Sequence, residues 1–205
     1  MALSAIFLMF FLLQHLTINI TSIFSENLFN YLSHFMGTNI VVQFLLQPIL
    51  IAGVIFHFLM GFILEFQNRR SRQYEYNKNM ANANSSWMSR NMIWSGLVIL
   101  SFLILHFLDF WLPEIKYKYI VVLPNDPDRY YHELVHKFEN PLRVIFYCLS
   151  FIFLGLHLMH GFTSSIKSLG VNKNYITSMK TISYLYGIGI PAGFCIIAIF
   201  HYLNH

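Results

Sequence analysis

Five histidines lie within the first four long apolar stretches of this sequence. The first three stretches hold one each and the fourth holds two: His15, His57, His106, His157 and His160. Ionisable side chains inside a membrane are costly, usually face the interior of a helix bundle, and mark sites that bind ions, protons or cofactors. One such histidine is equally well explained by a hydrogen bond between helices, which contributes about 0.6 kcal/mol on average. Several together favour a binding function.

These histidines have to be positioned by helices that cross a membrane. Of the 205 residues, 56% are hydrophobic and 11% are charged, a balance that would cover a soluble domain with apolar surface. A spanning helix needs about 20 apolar residues, and five such segments are predicted, at 2–22, 43–66, 91–112, 142–164 and 181–203. The whole chain, 1–205, is therefore predicted to be one all-α membrane domain.

Two polar segments separate these spans on one side of the membrane. Residues 23–41 are expected to form a loop, and 113–141 an ordered, partly helical loop, into which proline prevents the spans from extending. Lysine and arginine predict the orientation, because they are enriched in cytoplasmic loops. The two loops on the other side carry eight of them: Arg69, Arg70, Arg72, Lys78, Arg90, Lys167, Lys173 and Lys180. We expect the N-terminus inside and the C-terminus outside, with no nucleic-acid surface.

Depth in the membrane sorts four of the histidines into two pairs. With the N-terminus inside, His15 and His106 both lie late in outward spans, whereas His57 and His157 both lie late in inward spans. A b-type haem held by two imidazoles needs one histidine from each of two helices at the same level. The pattern therefore predicts two haems stacked across the membrane, at the centre of the five-helix bundle.

Glycine follows two of the histidines at the same spacing. Gly61 comes four residues after His57, and Gly161 four residues after His157, so each shares its histidine's helix face and leaves room for a porphyrin. Small residues are also common wherever membrane helices pack. The repeated spacing favours His157 over His160 as the ligand, although both share one face. His160 is the alternative ligand, or a hydrogen-bond partner for a propionate or quinone.

The two cysteines form no C-x-x-C-H motif, so any haem is held non-covalently.

Several stretches resemble the single-chain, five-helix, di-haem cytochrome b558-type subunits that anchor succinate dehydrogenase or fumarate reductase. The resemblance covers nearly the whole chain and is clearest in MALSAIFLMFFLLQHLTIN, FHFLMG, SSWMSRNMIWSGLVILSFLILHF and LGLHLMHGFTSSIKSLG. It implies that His15 and His106 bind the iron of a distal b haem, and that His57 and His157 bind that of a proximal one. His201, in the fifth span, would not be a ligand. The implied location is the bacterial inner membrane.

The same resemblance implies partners and a reaction. A flavoprotein subunit and an iron–sulfur subunit would dock on the cytoplasmic face, and electrons would pass through the two haems to a quinone, menaquinone by resemblance. The chain would oxidise no succinate itself. The expected propionate-binding residues, at the cytoplasmic ends of spans three and four, are Ser89, Arg90 and Lys167. The expected quinone-site candidates, near the outer haem, are Asn19, Glu26, His34 and Asp109.

One position departs from relatives that reduce fumarate with menaquinol. Some of them have a glutamate two residues before the fourth-helix ligand, proposed to carry protons, and here that residue is Gly155. We therefore assign no proton pathway at this position.

Two other functions compete with the anchor subunit. The cytochrome b of a membrane hydrogenase or formate dehydrogenase also uses transmembrane histidines, but five spans with ligands on the first four argue against it. A small transporter could use the same histidines to bind ions or relay protons. Ion sites prefer clustered ligands with a carboxylate nearby, whereas these histidines are spread over two depths.

Overall fold

The computed structural model describes residues 1–71, 92–170 and 172–204. Within these ranges the chain is helical and contains no strand. Seven helical segments follow one another: α1, Ala2–Phe24; α2, Glu26–Thr38; α3, a π turn at Val42–Leu46 and then Gln47–Ser71; α4, Met92–His106 continuing through further short turns to Ile120; α5, Arg129–Phe138; α6, Pro141–Ser168; and α7, Lys173–Leu203.

Five of the described helices are long and apolar enough to cross a membrane, as the sequence predicts. The spans are Ala2–Phe24, Val42–Arg70, Met92–Ile120, Pro141–Ser168 and Ser178–Leu203. Many of their large apolar side chains point outward, such as Leu3 at 73% exposed and Leu185 at 70% exposed. Apolar surface on this scale is stable only against lipid. The chain is therefore a multi-pass membrane protein.

The third span is longer than predicted, because Pro113 does not end it. A π turn at Phe107–Trp111 precedes this proline, and the amide of Leu112 donates to the carbonyl of Phe107, five residues earlier. A proline has no amide proton and crowds the carbonyl four residues back; a wider turn shifts that carbonyl away. The same arrangement precedes Pro48, where the π turn is Val42–Leu46. The expectation that proline excludes the span from 113–120 was wrong.

The two segments on one side of the bundle contain helices that pack together. Segment 23–41, expected to be a loop, forms α2, which begins where the Ser25 side chain accepts a hydrogen bond from the Leu28 amide. Asn30, 2% exposed, joins α2 to the start of α5. Its side chain donates to the carbonyl of Asp128 at 3.0 Å and accepts from the amide of Tyr131 at 2.8 Å. We call this side the α5 end of the bundle.

The tightest helix crossing joins α6 to α7. A Cβ added at Gly155 would lie 2.7 Å from the carbonyl oxygen of Gly187, so neither position has space for a side chain. Ser183 of α7 also donates to the carbonyl of Met159 in α6 at 2.6 Å. Small residues allow membrane helices to approach closely in this way. Because α7 is held firmly against α6, it supports the bundle formed by the first four spans.

Candidate functional site

His15 of α1 and His106 of α4 face each other inside the bundle. Their ring centres are 5.8 Å apart and the ring planes make an angle of 85°. Aromatic rings enclose both imidazoles: Phe11 stacks on His15 at 5.4 Å, and Phe102 stacks on His106 at 5.6 Å. The Nδ1 atom of His106 is buried and has no hydrogen-bond partner among the described residues. These two residues are one of the pairs that depth in the membrane predicts.

His57 of α3 and His157 of α6 form the second facing pair. Their ring centres are 6.2 Å apart, with an angle of 70° between the planes. A serine from a different helix contacts each ring: Ser4 Oγ lies 3.3 Å from His57 Nδ1, and Ser95 Oγ lies 3.2 Å from His157 Nδ1. In both rings Nδ1 is therefore engaged by a serine hydroxyl.

The separation within each pair fits a metal ion held by two imidazoles. Two imidazoles bound to one metal would have their ring centres at most about 6 Å apart, because each nitrogen would lie about 2 Å from the metal and about 1 Å from its ring centre. The separations of 5.8 Å and 6.2 Å agree with this value. Each pair therefore has the ring separation that two imidazole ligands of one iron atom would need; their role as ligands stays a prediction.

Both predicted glycines lie beside a flexible methionine. Among the described residues, the nearest atom to a Cβ added at Gly61 would be the Met1 methyl carbon at 3.6 Å, and the nearest to one at Gly161 would be the Met92 methyl carbon at 3.7 Å. Methionine is the most adaptable apolar side chain and rearranges readily around a neighbour. The surface beside each glycine can therefore open for a flat ligand without a change in the helix backbones.

The remaining span histidines have different surroundings. His160 is half-buried and lies one turn from His157, nearer the end of α6. The positive charge of Lys167 acts on it there. His201 of α7 is 2% exposed, and its Nε2 lies 2.9 Å from Ser22 Oγ. Because Ser22 donates its own proton to the carbonyl of Asn19, the Nε2 of His201 is the hydrogen-bond donor. Of the two ring nitrogens of His201, Nε2 is therefore not available to a metal.

Asp109, a predicted quinone-site residue, lies in a buried ionic cluster at the α5 end. It is 5% exposed, and its Oδ2 accepts a hydrogen bond from the Tyr147 hydroxyl at 2.8 Å and forms an ion pair with Arg143, whose Nε lies 3.1 Å away. Lys137 Nζ lies 4.0 Å from the other oxygen. These contacts join α4 to α5 and α6. Because both carboxylate oxygens are already engaged, Asp109 stabilises the bundle, and its availability to a quinone depends on opening this cluster.

The other three quinone-site candidates are spread along α1 and α2. Asn19 of α1 lies nearest the His15/His106 pair, with its amide nitrogen 3.4 Å from His15 Nδ1. His34 of α2 packs against Tyr130 with ring centres 6.0 Å apart, and its Nδ1 is buried without a partner among the described residues. Glu26 lies near the surface, 3.5 Å from His132. Of the four candidates, Asn19 alone contacts an imidazole of the pair.

A cavity of about 220 Å³ between the start of α3 and the end of α4 was not anticipated from the sequence. Its polar wall includes Gln43, Gln47 and Glu114, and its aromatic wall includes Phe44 and Trp111. A mostly apolar cleft with a few polar groups is the usual form of a small-molecule site. Spacing along the chain did not reveal it, because its walls come from residues about 70 positions apart.

Arg129 organises a second ionic cluster beside this cavity. It is 9% exposed and pairs with Glu114 and with Glu133, the latter at 2.7 Å. Although burial acts to lower it, these two carboxylates raise the pKa of the Arg129 guanidinium above its usual value. Burial, together with the charge of Glu114, raises the pKa of the neighbouring Tyr130 to about 12. The α5 end is therefore closed by helices that ion pairs hold together.

The opposite end of the bundle carries exposed basic side chains, and we call it the basic end. Arg69 and Arg70 end α3, and Lys167 lies in the last turn of α6. All three are exposed. Ser89 and Arg90, predicted with Lys167 to bind haem propionates, lie outside the residues that the structure describes.

The structure also exposes a repeat that sequence reasoning missed. Four residues in α1 or directly before it recur in α4, each 91 positions later: Met1, Ser4, Phe11 and His15 match Met92, Ser95, Phe102 and His106. The pairs also match in role, since both methionines face a glycine, both serines touch a histidine of the neighbouring helix, and both phenylalanines stack on their own histidine. With the repeated H-x-x-x-G of α3 and α6, the first four spans form two similar halves.

Comparisons of the chain with protein-family models, with curated proteins and with solved structures find no significant match. Within the described ranges, no three histidine, cysteine, aspartate or glutamate side chains come together as a metal-binding group. The candidate sites are therefore the two histidine pairs, His15/His106 and His57/His157.

Proposed function

We propose that this chain is the membrane-anchor cytochrome b subunit of a succinate:quinone oxidoreductase. The observation that carries the proposal is the meeting of four histidines from four helices as two facing pairs, each with the spacing of two imidazoles on one metal. One histidine pair alone would fit many membrane proteins. Two pairs at two depths fit a path for electrons across the bilayer.

In this proposal His57 and His157 hold one b haem, and His15 and His106 hold the other. Haem supplies a carrier that gains and loses one electron without leaving its site. The chain's residues bind and orient it: the imidazoles ligate, Gly61 and Gly161 leave room beside α3 and α6, and the aromatic rings around His15 and His106 exclude water. Exclusion of water and the charge of nearby groups set the potential at each site.

The proposed partners are a flavoprotein subunit and an iron–sulfur subunit at the basic end, which the positive-inside rule assigns to the cytoplasm. The exposed Arg69, Arg70 and Lys167 support this, because positive side chains attract and orient an acidic partner. Quinone would react nearer the α5 end, close to the His15/His106 pair, where Asn19 contacts an imidazole. The proposed quinone is menaquinone, in a bacterial inner membrane.

The deciding experiment is haem quantitation on the purified chain by pyridine haemochrome. We expect about two haems b per chain, and one after His15→Ala, His106→Ala, His57→Ala or His157→Ala. His160→Ala is expected to keep two, and so is the control His136→Ala, which changes a histidine whose side chain is 76% exposed outside the spans. Absence of haem b from the wild-type chain would overturn the proposal.

A second experiment tests the reaction. Membranes that contain the chain with its proposed partners should show haem b reduction on addition of succinate, and the purified chain alone should not. Reduction by hydrogen or formate, with no response to succinate, would assign the same fold to a different respiratory enzyme.

A further inference from the structure

Each of the two serines that contact the His57/His157 pair uses its only hydroxyl proton in a hydrogen bond to a backbone carbonyl. Ser4 Oγ donates to the carbonyl of Met1 at 2.8 Å, and Ser95 Oγ donates to the carbonyl of Met92 at the same distance. A hydroxyl has one proton and two acceptor positions. Each Oγ therefore acts as the acceptor toward the imidazole that it faces.

This arrangement fixes which nitrogen of each imidazole carries the proton. Nδ1 of His57 and Nδ1 of His157 are the atoms that face the serines, at 3.3 and 3.2 Å. If Oγ accepts, Nδ1 must be protonated, and Nε2 is left with a free lone pair. A neutral imidazole binds metal through its unprotonated nitrogen.

At the His15/His106 pair, no hydroxyl group from the described residues takes the place of these serines. Asn19 presents an amide nitrogen, a donor, to His15 Nδ1 at 3.4 Å, and the buried Nδ1 of His106 has no partner in the described part of the chain. The two pairs therefore differ in the groups behind the imidazoles, although the separations of their rings are similar.

We propose that Ser4 and Ser95 are positioning residues that hold His57 and His157 in the tautomer and orientation that bind a metal through Nε2. The inference rests on the proposed function, because it concerns a haem at this pair. The first helix of each half then contributes to both sites. It supplies a histidine to the His15/His106 pair, and its serine, eleven residues earlier, orients a histidine of the His57/His157 pair. Eleven helical residues span about 16 Å.

The bond has a predicted effect on the electron carrier. Donation of Nδ1–H to an oxygen raises the basicity of the imidazole, which favours the oxidised metal and lowers its potential. Ser4→Ala and Ser95→Ala each remove one acceptor. We expect each to raise the midpoint potential of the component that is missing from His57→Ala, to leave the other component unchanged, and to be additive in the double variant.

The experiment is a redox titration of the purified chain, read from the haem absorption bands. Ser101→Ala is the matched control, because Ser101 of α4 also donates to the carbonyl three residues earlier, at 2.8 Å, but is exposed. Ser4→Thr and Ser95→Thr keep the hydroxyl and should restore the wild-type potential.

The outcomes separate the two proposals. No haem b in the wild-type chain overturns the proposed function itself. Two haems with unchanged potentials in both alanine variants overturn the role of the serines and leave the proposed function standing. Loss of one haem in an alanine variant, with retention in the threonine variant, supports the role of the hydroxyl; equal loss in both overturns it.

Discussion

The Tyr147 hydroxyl donates to Asp109 at 2.8 Å, inside a cluster that joins α4, α5 and α6. Tyr147 is 2% exposed, and its ring packs at right angles to Phe102, with ring centres 5.0 Å apart. Since Phe102 stacks on His106, the cluster at the α5 end is in contact with the packing around one histidine pair. The geometry of that pair therefore depends on an ion pair that touches neither imidazole.

Replacement of Asp109 should destabilise the bundle. In Asp109→Asn the positive charges of Arg143 and Lys137 lose their partner. Because these side chains are 30% and 25% exposed, we expect the free energy of unfolding to fall by about 2 kcal/mol, which is less than is typical when a fully buried pair is broken. Thermal unfolding in detergent measures it. Glu65→Gln, which breaks the exposed pair with Arg69, should cost less than about 0.5 kcal/mol. Equal effects of the two substitutions would contradict the role of Asp109.

The α6–α7 crossing should not accept a side chain. Gly155→Ala would place a methyl group 2.7 Å from the backbone oxygen of Gly187, which forces the helices apart and should cost about 1–3 kcal/mol. Gly189→Ala is the control, since a Cβ there has no neighbour within 4 Å among the described residues. Comparison of the two unfolding midpoints tests the prediction, which is wrong if Gly155→Ala is as stable as Gly189→Ala. The same crowding explains why a glutamate does not fit at position 155.

Because the pKa of Tyr130 is raised in the folded state, the fold should lose stability in strong alkali. Burial and the charge of Glu114 raise its pKa from 10.0 to about 12, so the unfolded chain loses this proton at lower pH than the folded chain does. Stability from this source is complete below pH 10 and falls between pH 10 and about 12. In Tyr130→Phe that part of the fall should disappear. Unfolding midpoints measured across this range, with Tyr31→Phe as control because Tyr31 is 69% exposed, check the sign.

The orientation follows from the distribution of basic residues and can be tested by labelling. In a chain with Cys148 and Cys195 replaced by alanine, Asn125→Cys should react with a membrane-impermeant thiol reagent added to intact cells. Ser168→Cys at the basic end should react only after the cells are opened. Both positions are exposed. The reverse pattern would place the N-terminus outside and move the proposed partners to the α5 end.

Hydropathy and histidine depth predicted the spans and the partners of each histidine because both depend on position along a helix axis. Each span needs only a sufficient run of apolar residues. A histidine's level follows from the number of residues before it. Thus His15 faces His106, and His57 faces His157, as depth indicates.

What depends on helix rotation and lateral packing could not be predicted in the same way. The bond between Ser4 and His57 requires that α1 lie beside α3 with its serine turned inward, and neither hydropathy nor spacing specifies that rotation. The burial of Asp109 likewise depends on Arg143 and Tyr147, which lie more than thirty residues further along the chain. The π turn before Pro113 is a local response to a residue usually interpreted as a helix end.

Each histidine pair takes one member from each of the two similar halves, whose first helices match 91 residues apart and whose second helices match 100 residues apart. A single half, α1 with α3 or α4 with α6, contains one histidine for each level and completes neither pair. Two identical halves related by a twofold axis along the membrane normal would complete both, since the interface of a symmetric dimer brings the same residue from each subunit to the axis. The first four spans are thus arranged like a homodimer whose two subunits are joined in one polypeptide. Because the two halves are separate parts of one sequence, the residues on the two sides of each site can change independently.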